Sequence, residues 1–159
     1  MDLEIRKATR EDIPAIAELL RSLELFPHFL TQPPEAVLKQ VARQLTRCQA
    51  DDSHSVYVAQ TGAGPIHGYC AVHWLPYLMM PGPEGYISEL FLRPSSRGLG
   101  LGGQLLKAVT AEAEARGCSR LMLLNLKIRE SYQRGFYKKQ GWRERPEVAN
   151  FILNLQNGS

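Results

Sequence analysis

The chain has 159 residues, a length that suits one domain built around a single core. Apolar residues make up 44% and charged residues 22% of the chain, so its composition is that of a globular protein and not of a disordered or fibrous one. The net charge of +3 comes without a long basic run, which argues against nucleic-acid binding.

The first residues and the cysteines indicate the compartment. MDLEIRK lacks the basic start and apolar stretch of a signal peptide, and no apolar run reaches the roughly 18 residues of a membrane helix. Cys48, Cys70 and Cys118 are odd in number and far apart, so we expect reduced packing residues. The four histidines lack metal-ligand spacing. These features predict a cytoplasmic protein without a metal, a membrane segment or a nucleic-acid partner.

Hydrophobic spacing predicts a strand and then two helices at the start of the chain. The strand covers residues 3–9, and Thr9 with Asp12 forms a capping-box-like start for the first helix. Prolines interrupt the helical pattern in ELFPHFLTQPP, residues 24–34. A second helix is predicted over residues 34–47.

Three strands are predicted next, over residues 55–60, 66–75 and 86–92. The loop at 77–85, before the third of these strands, is unusually apolar. Four glycines at residues 98–103 then open a helix.

After that helix ends at Gly117, we expect an apolar strand at 119–126, a short helix at 130–141 and a last strand at 149–155. The order β, α, α, β, β, β, α, β, α, β predicts a single domain over 1–159 of the α/β class (mixed α+β), with a mixed sheet flanked by helices.

The glycines of RPSSRGLGLGG are typical of backbone that a phosphate must approach closely. A P-loop is rejected, because Gln104 stands where that motif needs Lys. The dinucleotide pattern is matched by Gly98, Gly100 and Gly103, but the next strand leads to Asn125 and carries no acid for a ribose. A third interpretation is a pyrophosphate held by the backbone amides at the helix start, with Arg97 as a charged clamp.

This third pattern, R-G-L-G-L-G over 97–102, resembles the acyl-coenzyme A loop of the GNAT superfamily of N-acyltransferases. A second signature of that family is matched by Phe-Tyr-Lys-Lys-Gln-Gly-Trp at 136–142. The resemblance covers nearly the whole chain. Glu130 and Gln133 depart from it, since the family often has Asn and Ala at these positions.

The resemblance implies a GNAT-like central mixed, mostly antiparallel sheet flanked by helices, with the acyl-CoA loop between a strand and a helix. It implies an N-acetyltransferase that moves an acetyl group from acetyl-CoA to a primary amine by direct attack. The residues implied in binding acetyl-CoA are Leu90, Phe91, Leu92, Arg97, Gly98, Leu99, Gly100, Leu101, Gly102, Gly103 and Tyr137.

Two residues are candidates for the catalytic roles. Glu89 is the candidate base for the amine, directly or through water, and Tyr137 the candidate hydrogen-bond donor to the leaving thiolate. The alternative for Glu89 is a solvated or ion-paired glutamate, and the alternative for Tyr137 is an aromatic residue of the core. Strict alternation along the strand puts Glu89 and Phe91 on one face and Ser88 and Leu90 on the other.

The resemblance places the acceptor side between the first helices and before the key strand. The candidate substrate-binding residues there are Phe26, His28, His73, Trp74 and Tyr86. The expected acceptor is a small-molecule or peptide amine, and a small polyamine, an amino acid, an aminoglycoside-like drug and a protein N-terminus all stay open. The apolar loop also fits a homodimer contact. The alternatives to an enzyme are a non-catalytic acyl-CoA sensor and a dinucleotide-binding protein.

Overall fold

The computed structural model describes residues 2–156, which divide into two compact units. The first unit ends at Leu124 and contains a five-stranded sheet with helices. The second begins at Asn125 and contains two short helices. A single domain over 1–159 stays a prediction.

In the first unit, the sheet has the order β1-β2-β3-β4-β5. Every neighbouring pair is antiparallel except β4 and β5, which are parallel, so the prediction of a mixed, mostly antiparallel sheet is confirmed. The strands are β1 (Leu3–Lys7), β2 (His54–Thr61), β3 (Ile66–Leu75), β4 (Glu84–Leu92) and β5 (Arg120–Leu123). The helices are α1 (Ile13–Ser22), α2 (Pro27–Thr31), α3 (Pro34–Cys48) and α4 (Leu101–Ala115).

The helices cover both faces of the sheet. Val56 and Val58 of β2 pack in the core cluster that contains the buried residues of α1 and α3. Ser55 and Tyr57, which alternate with them, donate hydrogen bonds to Glu112 of α4 at 3.0 and 2.7 Å. Because successive strand residues point to opposite faces, α4 lies on the face opposite to α1 and α3.

The predicted capping box at the start of the first helical segment is confirmed. The backbone amide of Thr9 donates to the Asp12 carboxylate at 2.7 Å. Both terminal nitrogens of Arg6 donate to the same buried carboxylate at 2.8 Å. These bonds, chiefly those from Arg6, lower the pKa of Asp12 and tie β1 to the helices that follow.

Strand β4 pairs unequally with its two neighbours. Its antiparallel ladder with β3 runs from Glu84 to Leu92. Its parallel ladder with β5 covers only residues 84–87, which lie beside 120–123. Among the described residues, no strand pairs with this edge of β4 beyond Ile87. The second half of β4 therefore keeps one backbone edge open.

A β-bulge interrupts the alternation of side chains along β4. The register with β3 shifts between Ala71, opposite Glu89, and Val72, opposite Ile87, so Ser88 is the extra residue. The Ser88 hydroxyl lies 2.7 Å from Nε2 of His73, which shares a face with Ala71. The prediction that Ser88 and Glu89 lie on opposite faces is therefore wrong.

The structure also corrects several predicted elements. The segment interrupted by prolines contains α2, and β5 is shorter than predicted. The helix predicted at 130–141 is two short helices, α5 (Glu130–Gln133) and α6 (Phe136–Lys139), because Gly135 between them adopts a left-handed conformation with φ of 68°.

The last predicted strand, at 149–155, is wrong. The segment forms no strand, and its apolar side chains are exposed, Phe151 by 90% and Leu155 by 88%. A segment of β-forming residues becomes a strand only when it can pair with a neighbouring strand or pack against another surface. Within residues 2–156, no helix is long and apolar enough to cross a membrane.

Candidate active site

The glycine-rich segment forms a tight turn between β4 and α4. After a 3-10 turn at Pro94–Ser96, Gly98 and Gly100 adopt left-handed conformations with φ of 78° and 77°. These values favour glycine, because a Cβ atom is strained there. A Cβ at either glycine would meet no other atom within 4 Å, so the space above the turn is open. The turn can therefore receive a ligand close to its backbone.

The start of α4 supplies uncapped backbone donors to this open space. Gly100 is the N-cap residue and has no side chain to cap the helix. The first turn of the helix carries no acidic residue, so the positive end of the helix dipole is not offset there. The amides of Leu101, Gly102 and Gly103 are thus suited to an anion, as in phosphate sites at helix starts. Arg97 and Leu99, earlier in the turn, are exposed.

Polar contacts from β3 hold the base of the turn in place. Ser96 is buried, and its hydroxyl lies 2.9 Å from Nδ1 of His67. Nε2 of the same histidine lies 2.6 Å from the Thr61 hydroxyl. Arg93 donates from Nε to the carbonyl of Ile66 at 2.7 Å. These hydrogen bonds therefore fix the residues before the glycine turn against the sheet.

The open edge of β4 presents backbone amides beside this turn. The amide of Arg93 donates to the carbonyl of His67 on β3 at 2.8 Å. In an antiparallel ladder, such bonded residues alternate with residues whose amides point away from the partner strand. The amides of Leu90 and Leu92 therefore point to the edge that β5 leaves open, whereas that of Phe91 points to β3.

Glu89 lies on the face of β4 that packs toward α1 and α3, together with the buried ring of Phe91. The Tyr69 hydroxyl donates to Oε1 of Glu89 at 2.9 Å. Burial raises the pKa of Glu89, and the bond from Tyr69 opposes this rise. A carboxylate with a raised pKa is a stronger base than an exposed one.

A polar group of side chains lies on the same face, toward the start of β4. It contains His73 and Tyr86, which are opposite each other in the ladder, together with Ser88 and His54. The rings of His54 and His73 are 4.6 Å apart. Burial, and secondarily His54, lowers the pKa of His73, which is therefore neutral near pH 7.

Two other predicted acceptor residues lie at α2. Phe26 is half-buried, and its ring centroid is 5.4 Å from that of Phe91, which lies 5.8 Å from that of Tyr69. His28 is exposed and lies beside Phe26, with ring centroids 6.0 Å apart. A continuous row of aromatic rings thus connects α2 to the residue that bonds Glu89.

Trp74 lies apart from the other predicted acceptor residues, which are on the opposite face of the sheet or at α2. It is buried on the α4 face of the sheet, where its Nε1 donates to the Ser55 hydroxyl at 3.1 Å. The guanidinium of Arg116, the residue that follows α4, lies 4.8 Å from the Trp74 ring centroid. Its neighbour His73 points to the opposite face.

Tyr137 lies in the second unit, on α6. Its ring packs against those of Phe136 and Trp142, with centroids 4.9 and 6.0 Å away. Its carbonyl accepts the amide of Trp142 at 3.0 Å, and Gly141, with φ of 89°, makes the turn that allows this. The Phe-Tyr and Gly-Trp pairs of the motif are therefore parts of one local structure.

Sequence reasoning missed three residues of this region: Tyr69, Ser88 and His54. Each is an ordinary strand residue, and only the register of β2, β3 and β4 brings them to Glu89 or His73. Among residues 2–156, no group of three or more His, Cys, Asp or Glu side chains is arranged to hold a metal ion.

Residues 17–142 match the model of a family described as the acetyltransferase (GNAT) family. No curated protein sequence matches the chain.

Solved structures share the fold over nearly the whole chain. A transcriptional regulator from Bacillus halodurans C-125 is 25% identical, with a TM-score of 0.82 and coverage of 96% of this chain and 100% of the other. A ribosomal-protein-alanine N-acetyltransferase from Brucella melitensis biovar Abortus 2308 is 18% identical, with a TM-score of 0.75 and coverage of 97% and 100%. An aminoglycoside acetyltransferase from an uncultured soil metagenomic sample is 19% identical, with a TM-score of 0.74 and coverage of 97% of each chain.

Proposed function

Since the chain belongs to the acetyltransferase (GNAT) family, we propose that it transfers an acetyl group from acetyl-CoA to a primary amine. One observation carries the proposal: the open edge of β4, the glycine turn and the start of α4 follow one another directly, and Glu89 lies on the same strand. A site for a long anionic co-substrate thus adjoins a half-buried carboxylate.

The residues present fit acetyl-CoA, which supplies the activated acetyl group when it is bound. The amides of Leu101, Gly102 and Gly103 would hold the pyrophosphate, and the exposed Arg97 would add a charged contact. Gly98 and Gly100 place no side chain in the open space above the turn. The outward amides of Leu90 and Leu92 would donate to the part of the co-substrate that carries the acetyl group.

Glu89 would act as the general base. An alkyl ammonium group has a pKa of about 10, and only the free amine attacks, so a proton must be removed near pH 7. The proton would pass to the Glu89 carboxylate directly or through water. Burial raises the pKa of this carboxylate, which supports the role.

Tyr137 would donate a hydrogen bond to the thiolate as it leaves. The support for this role is the family motif at 136–142 and the local structure that holds its ring. A thiol pKa near ~8.5 lies below the tyrosine value near ~10, so a hydrogen bond is favoured over full proton transfer.

The acceptor is a small-molecule or peptide amine, and we propose that Phe26, His28, His73 and Tyr86 contact it. These residues are joined to the face of Glu89 by ring contacts and strand register. Trp74 is left out because it is buried against α4. The two acetyltransferase neighbours are named for different acceptors, a ribosomal protein alanine and an aminoglycoside.

The proposed activity is tested by thiol release from acetyl-CoA in the presence of a panel of amines. We expect amine-dependent release that Glu89→Gln reduces by roughly 100-fold or more, as for loss of a general base. Binding of acetyl-CoA without release for any amine would indicate a non-catalytic sensor. Binding of NADH in place of acetyl-CoA would indicate a dinucleotide-binding protein.

The glycine turn is tested by comparing Gly100→Ala with Gly117→Ala. Both glycines have positive φ, 77° and 69°, and a Cβ at either meets nothing within 4 Å, so the backbone strain is matched. Gly117 follows the far end of α4. We expect the affinity for acetyl-CoA, measured by calorimetry, to fall about tenfold, or about 1.4 kcal/mol, in Gly100→Ala alone. Equal affinities in both variants would show that the turn does not contact the co-substrate.

The role of Tyr137 is tested by Tyr137→Phe, with Tyr132→Phe as the control. Tyr132 is in the same unit, and its hydroxyl bonds Glu144 at 3.0 Å. We expect Tyr137→Phe to lower kcat roughly 10- to 1,000-fold while acetyl-CoA affinity changes little, because the bond forms only as the thiolate develops. Pre-steady-state kinetics must show that chemistry limits the rate. Unchanged turnover under that condition would make Tyr137 a packing residue.

A further inference from the structure

The hydrogen bond between Tyr69 and Glu89 connects a buried donor in the core to the proposed base. The Tyr69 side chain is only 3% exposed and packs in the core cluster against Phe91. Its hydroxyl is 2.9 Å from Oε1 of Glu89. Because close packing holds the ring, the hydroxyl fixes the position of one carboxylate oxygen.

Three other titratable groups near Glu89, the Cys70, Cys48 and His73 side chains, are neutral near pH 7. The thiols of Cys70, on β3, and Cys48, at the end of α3, have pKa values that burial and then the charge of Glu89 raise. His73, further along β3, has a pKa lowered by burial and by His54. For Glu89 itself, burial raises the pKa, and the bond from Tyr69 is the contact that lowers it. Tyr69 is therefore the partner that favours the ionised carboxylate.

On the basis of the proposed acetyl transfer, we propose that Tyr69 is a positioning residue, which holds Oε1 of Glu89 and leaves Oε2 to accept the proton of the acceptor. In that step an N–H bond of the ammonium group breaks and the electron pair stays on nitrogen. The proton forms an O–H bond with Oε2, directly or through one water. The free amine is then ready to attack.

The proposal predicts the direction of a pH effect. Without the Tyr69 hydroxyl, burial still raises the pKa of Glu89 but the opposing hydrogen bond is lost, so the pKa rises further. The base form exists only above this pKa. The acidic limb of kcat/KM against pH must therefore move to higher pH in Tyr69→Phe.

Tyr57 offers a matched control. It is also a strand tyrosine whose hydroxyl donates to a glutamate, Glu112 of α4, at 2.7 Å. Tyr57 lies on β2 and faces the opposite side of the sheet. Tyr57→Phe therefore removes the same kind of bond without touching Glu89.

The first experiment titrates the Glu89 carboxyl carbon by NMR in the protein without ligand, with Glu89→Gln used for assignment. We expect a higher midpoint in Tyr69→Phe and an unchanged midpoint in Tyr57→Phe. If Tyr69→Phe does not fold, Tyr69 is replaced by 3-fluorotyrosine, whose hydroxyl is a stronger hydrogen-bond donor. The midpoint of the Glu89 titration must then move to lower pH. An unchanged midpoint in the folded variant or in the fluorinated protein would overturn the proposal.

The second experiment measures kcat/KM against pH for the same variants. We expect Tyr69→Phe to lose activity several-fold on the acidic limb and to recover toward the plateau at higher pH, while Tyr57→Phe keeps the wild-type profile shape. A uniform loss at every pH would indicate a structural role for Tyr69 and would overturn the proposal. The two proposals can fail separately. An inactive wild-type protein would contradict the proposed acetyl transfer. The NMR titration needs no turnover, so it would still test whether Tyr69 affects the pKa of Glu89.

Discussion

Strand β4 pairs with β3 along its length, apart from the bulge residue Ser88, and pairs with β5 along only its first half. An antiparallel partner, β3, fixes which amides point outward. The parallel partner, β5, stops at Leu123, beside Ile87. Unpaired backbone N–H groups at a sheet edge readily form hydrogen bonds with another chain or a ligand. In this fold the open edge is short and leads directly into the glycine turn.

The other features of the site depend on this arrangement. The turn can approach a ligand closely because Gly98 and Gly100 carry no side chains and because His67 and Ser96 anchor its base to β3. The bulge at Ser88 brings an extra polar residue to the face of Glu89 without breaking the ladder that follows. Phe91 fixes β4 against α1 and α3, so a polar site lies next to a well-packed core.

The parts of the fold that short sequence patterns specify were predictable. The capping box at Thr9 and Asp12 and the glycine turn before α4 follow from local spacing, and the mixed sheet follows from the order of the elements and the family resemblance. Two expectations failed where the outcome depends on distant partners. Residues 149–155 have the composition of a strand but form none, and Ser88 lies on the face of Glu89 because of a bulge that alternation does not show. Tyr69 was missed for a related reason: its contact with Glu89 depends on the register across the loop between β3 and β4.

Residue-resolved amide hydrogen exchange with and without acetyl-CoA tests the role of the open edge of β4 most directly. The amides of Leu90 and Leu92 point away from β3, and that of Phe91 points to it. The account predicts that saturating acetyl-CoA slows exchange at Leu90 and Leu92 far more than at Phe91. Exchange rates at Leu90 and Leu92 that stay the same when acetyl-CoA is bound would contradict it.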